Sequence, residues 1–166
     1  MGIIFGNREY IDDKALPGAQ VQHFSLAGTH YGVLFIPRLA WDENTALKVS
    51  YEIGAHLPED AYEIKFDTIE NLLDEEPAHG YRTRHQQGLA PYSLKDLNLL
   101  GSGLLQSINL FDQDMHCSGY YGCAVDDNPQ LCHYKRLFRR YGEHFVANGL
   151  TPYTSERGTC YAFLRE

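Results

Sequence analysis

The stretch SGYYGCAVDDNPQLCHYKRLFRRYGEHFVANGLTPYTSERGTCYAFLRE, residues 118–166, decides how this chain is read. Tyr120–Val125 is a short apolar run rich in aromatic and β-branched residues, the composition of a buried strand. Asp126 and Asp127 close the run, Asn128 is placed to cap a helix, and Pro129 falls at the first helical position, where a missing N–H costs nothing. Leu131, Tyr134, Phe138, Tyr141 and Phe145 follow at helical spacing and make a stripe that has to be buried. Asn148-Gly149 is a stop signal, and Thr159–Arg165 alternates as a last strand. A strand, a capped helix and a strand in succession point to helices packed on a sheet.

Upstream, Val21–Leu26 and Tyr31–Ile36 flank Ala27-Gly28-Thr29-His30, which predicts a hairpin. Ala46–Ile53, with Leu47, Val49, Tyr51 and Ile53 alternating, and Ala61–Phe66 are read as two further strands of a mostly antiparallel meander. Asp67 or Thr68 caps a short helix over Ile69–Leu73, and residues 78–91 form a loop. A longer helix starts at Ser93, with Asp96 completing a capping-box-like pair. Leu94, Leu97, Leu100, Leu104, Ile108 and Phe111 hold one face of it, interrupted by Gly101-Ser102-Gly103. Residues 1–18 have few periodic apolar positions and are expected to be a loose arm or edge segment. The expected fold is a single α/β (α+β) domain over residues 1–166, with helices on a mixed, mostly antiparallel sheet.

Composition narrows the function. The formal charge is −8, which argues against nucleic acid, since phosphate neutralisation supplies most non-specific affinity. Eight acidic residues lie between Glu59 and Glu76 against Lys65, while Lys135, Arg136, Arg139 and Arg140 gather on the late helix. Such runs are solvated faces or sites for a ligand of opposite charge. No apolar run reaches the ~18 residues of a membrane span, and the N-terminus lacks the pattern of a secretory leader. A cytoplasmic setting is expected. There the four cysteines, Cys117, Cys123, Cys132 and Cys160, read as buried thiols. Their spacing has no CxxC unit, so no metal site is expected.

The late strand–helix–strand unit resembles the C-terminal half of the GCN5-related N-acetyltransferases. The residues that carry the likeness are Asn128, Leu131, Tyr134 and Tyr141-Gly142, although Tyr134 falls one residue early and Leu131 replaces a small residue. The resemblance implies acetyl-CoA or another acyl-CoA lying in a splayed sheet, with an amine acceptor, small or protein-borne, attacking directly. It implies Tyr134 as the general acid for the leaving thiolate. Asn98-Leu99-Leu100-Gly101-Ser102-Gly103-Leu104 stands where the family has a glycine loop whose amides cradle the pyrophosphate at a helix mouth. Asn98, Gly101, Ser102, Gly103, Leu104 and Asn128 are therefore the expected cofactor contacts. His85–Ala90 is a second, poorer match. The family's carboxylate base has its substitute in Glu63.

The competing expectation is a non-catalytic module on the same scaffold, such as a bacterial immunity or antitoxin protein, which holds a protein partner on an acidic, tyrosine-rich surface. A glycine pair embedded mid-helix would remove the anion cradle. An open gap between two diverging strands would count against the module. Cys/His nucleophilic catalysis from Cys132 or Cys117 is a third construction, but adjacent Cys132 and His133 point about 100° apart on a helix.

Overall fold

The computed structural model describes residues 2–40, 43–73, 84–123, 139–140 and 142–166. Its strands are β1 (Ile4–Tyr10), β2 (Gln20–Leu26), β3 (Thr29–Pro37), β4 (Tyr62–Thr68), β5 (Gly119–Cys123), β6 (Leu150–Thr154) and β7 (Cys160–Arg165). Its helices are α1 (Glu43–Ile53), α2 (Ile69–Leu72) and α3 (Leu94–Met115), and residues 142–147 are also helical. The strands form one seven-stranded sheet in the order β1-β2-β3-β4-β5-β7-β6. β1 to β4 are antiparallel neighbours, as are β5, β7 and β6. Only β4 and β5 run parallel among the described strands. The expected α+β architecture, a mixed and mostly antiparallel sheet with helices on it, is what the chain adopts.

Side-chain alternation sends each strand's residues to two faces. One face carries Phe24, Tyr31, Val33, Phe35, Ile64, Tyr120 and Phe163, and α3 covers it with Leu100, Ile108 and Phe111. Phe35 and Phe111 stack with ring centroids 3.9 Å apart. The opposite face carries Tyr121, Cys160, Ala162 and Leu164, and α1 covers it with Ala46, Val49 and Ile53.

One expectation needs correction, one is narrowed and one strand is added. Ala46–Ile53 is helix, not strand: its buried residues are Ala46, Val49 and Ile53, at helical steps, while Leu47 and Tyr51 are 54% and 88% exposed. Of the two readings of residues 1–18, an arm or an edge segment, the second describes Ile4–Tyr10, which pairs with β2 as an edge strand. Leu150–Thr154 is a strand the sequence reading passed over, an edge where Pro152 is tolerated.

Gly101-Ser102-Gly103 does not interrupt α3. The helix runs unbroken from Leu94 to Met115, and these residues lie within it. Gly103 has a packing reason: a Cβ there would lie 2.8 Å from Phe24 Cε2, so only glycine lets α3 come this close to the sheet. Ser107 Oγ donates to the Gly103 carbonyl at 2.7 Å one turn on.

Candidate functional site

Among the described residues β4 and β5 share two register pairs, Tyr62↔Tyr120 and Glu63↔Tyr121. β3 and β4 share seven, and β5 and β7 share five. Past Glu63 and Tyr121 no pairing joins β4 to β5 among the described residues, which on β5 run to Cys123, so the described sheet forks toward the carboxyl ends of two parallel strands. Crevices at such ends are where open sheets with parallel strands take ligands.

Glu63 stands at the base of this fork. It is 6% exposed, on the second residue of β4, between register partners Ile36 on β3 and Tyr121 on β5. Tyr121 is fully buried, and its hydroxyl has no hydrogen-bond partner among the described residues. Burial, then the Glu63 charge, pushes this phenol above its ordinary range, against a smaller opposing effect of Arg38. Arg38 is itself buried and donates from Nη1 to the Leu57 carbonyl at 2.5 Å.

A second phenol reaches the fork from the other face. Tyr161 is the register partner of Gly122, and a Cβ on Gly122 would lie 2.6 Å from the Tyr161 hydroxyl. The ring therefore lies over β5 where Gly122 has no side chain, one residue beyond the last β4 pair. Burial first, then the Glu63 charge, raises the Tyr161 phenol as well. Both phenols are protonated at neutral pH, Tyr121 on the same sheet face as Glu63 and Tyr161 on the opposite one. That combination of acid and base is what general acid–base chemistry uses.

Cys123 and Cys160 sit next to this pair and are joined by a disulfide, with Cα atoms 4.2 Å apart. They are directly opposed in register, and their side chains share the face of Tyr121. This corrects the expectation that the cysteines are buried thiols: register opposition across two adjacent strands brings two of them into bonding range. Cys117 is a buried free thiol, and Cys132 lies outside the described residues.

The other expected site residues fall elsewhere. Gly101, Ser102, Gly103 and Leu104 are mid-helix, where amides are spent on the i−4 carbonyls, so the expected anion cradle at a helix mouth is absent there. Asn98 is in the same helix, and its side chain accepts from Arg140. The true start of α3 is closed by a reciprocal capping box: Ser93 Oγ accepts from the Asp96 amide, and the Asp96 carboxylate accepts from the Ser93 amide. A carboxylate at that end repels an anion. The second candidate, His85–Ala90, is wound into a turn in which the Gly88 and Leu89 amides donate to His85 and Arg84 carbonyls. Asn128 and Tyr134 lie outside the described residues. Of the expected site residues that are described, Glu63 alone is at the fork.

Tyr121 and Tyr161 were not singled out from the sequence. Their signal was Gly122, a glycine inside a strand, which marks close approach by another group. No cluster of His, Cys, Asp and Glu suited to a metal is present among the described residues, and none of their helices is long and apolar enough to cross a membrane. Comparison with protein-family models, curated proteins and solved structures gives no match.

Proposed function

We propose that this protein transfers an acyl group from an acyl-CoA to an amine at the fork between β4 and β5. The observation that carries the reading is a buried carboxylate, Glu63, at the last register pair of a parallel strand contact that opens after two pairs. In this reading the thioester enters the gap between the strands and hydrogen bonds to strand edges that have lost their neighbour. Glu63 takes the proton of the attacking amine. A phenol, Tyr161 or Tyr134, returns a proton to the leaving thiolate. Positioning in a gap lined by protein supplies the remainder of the rate. The acidic residues of β4 and its flanks favour a cationic acceptor.

The phosphates of the carrier have no cradle at Gly101–Leu104, so this reading rests on the fork and not on a glycine loop. That missing cradle favours the second reading, a protein-binding module without catalysis. The test is release of free thiol from acetyl-CoA with a panel of amines. Amine-dependent release that falls at least about a hundredfold in Glu63→Gln supports transfer, the size expected for a general base. Absence of release, with one stoichiometric protein recovered from the native host, supports the module.

A further inference from the structure

We infer that the Cys123–Cys160 disulfide is a thiol-operated clasp that sets access to the fork. The inference rests on the fork being the working site, and it adds the regulation of that site. Among the described residues β4 pairs with neither Gly122 nor Cys123, which are held on the other flank by β7 and by the disulfide. The two sulfurs are not equivalent. Cys160 is 3% exposed, and its amide and that of Thr159 each donate to Ser155 Oγ at 3.0 Å, while its carbonyl accepts from the Ser155 amide at 2.9 Å. Cys123 is exposed and is the last described residue of β5. An exposed disulfide is open to exchange with small thiols.

Opening runs as a balanced exchange. The thiolate of a low-molecular-weight thiol such as glutathione attacks Cys123 Sγ, the S–S bond breaks, and Cys160 leaves as a thiolate that takes a proton. A second thiol displaces the mixed disulfide, giving two protein thiols and one oxidised small disulfide. Reversal with the oxidised small disulfide closes the clasp. Cys160 stays fixed by Ser155, so the strand end carrying Gly122 and Cys123 is the part released. Gly122 is the floor beneath the Tyr161 hydroxyl. Its release uncovers that phenol and widens the gap above Glu63.

The test uses the full wild-type chain, held oxidised or reduced with glutathione under native conditions. Peptide mass mapping after alkylation follows Cys123 and Cys160 apart from Cys117 and Cys132. Hydrogen exchange is read at Gly122 and Cys123, and acetyl-CoA binding is measured in both states. The expected result is a bond that opens without denaturant, with exchange at Gly122 and Cys123 at least about tenfold faster and little change at Tyr120 and Tyr121. Cys123→Ser with Cys160→Ser should match the reduced chain. Full alkylation of both cysteines before any thiol is added, a bond that stays closed in reduced glutathione, or unchanged exchange at Gly122 each overturns the clasp. Equal acetyl-CoA binding in both states overturns its control of access. Binding in neither state removes the acyl-CoA reading alone and leaves the clasp to be judged by exchange.

Discussion

Glu63 and Tyr121 are direct register partners across the last paired position of the parallel contact between β4 and β5, and both are buried. The Tyr121 hydroxyl has no hydrogen-bond partner among the described residues, and burying such a group costs stability. Their neighbours Tyr120 and Tyr62, one residue back, point to the α3 face and pack on Phe111 instead.

The two adjacent tyrosines of β5 should respond oppositely to loss of the hydroxyl. Tyr120 donates to Asp112 Oδ1 at 2.5 Å, and Asp112 also takes two hydrogen bonds from Arg165. Tyr120→Phe should cost about 1.5–3 kcal/mol, the range for a hydrogen bond to a charged group. Tyr121 has no such partner among the described residues, so Tyr121→Phe should be neutral or stabilise by up to about 2 kcal/mol. Urea denaturation of both variants checks the contrast, and equal losses would contradict it.

Gly103→Ala tests the close contact of α3 with the sheet. Alanine gains about 1 kcal/mol in helix propensity, but its methyl would meet Phe24, which is 1% exposed and stacked with Tyr31 and Phe66. Overpacking of a fixed ring costs about 1–3 kcal/mol. A net destabilisation of up to about 2 kcal/mol is expected by thermal or urea unfolding. A stabilised variant would show that the helix stands further off.

Asp67 gives a pH prediction with a definite sign. Burial raises its carboxyl, offset by hydrogen bonds from Asn71 and from the Thr68 amide. Its folded state holds a proton to higher pH than the unfolded chain, so its contribution is fully present below the unfolded value of about 3.9 and is lost as pH rises through the folded value. Asp67→Asn should therefore gain stability relative to wild type as pH rises from 3 to 7. A variant whose relative stability falls over that range would reverse the assignment.

Much of the fold was legible because local chemistry agreed with the final packing. The Thr68 cap of α2, the Ser93–Asp96 box of α3 and the β2–β3 hairpin are local signals, and each is found where it was expected. Ala46–Ile53 misled because eight residues with Val49 and Ile53 in common satisfy both an alternating and a helical pattern. Only burial against Tyr121 and Leu164 separates the two. The site was less legible. Glu63 stood out as a carboxylate on a strand, but the fork depends on β4 and β5 meeting across the 50 residues between Thr68 and Gly119. The glycine pair looked like a loop because sequence does not show that Phe24 lies opposite Gly103.

The most direct test of the account is titration of the isotopically labelled chain with acetyl-CoA, following backbone resonances and thermal unfolding together. The account expects shifts centred on Glu63, Tyr121 and Gly122, with stabilisation rising to about 2.7 kcal/mol at a hundredfold excess over the dissociation constant. No change in unfolding at millimolar acetyl-CoA, or shifts that leave those three residues untouched, would contradict it.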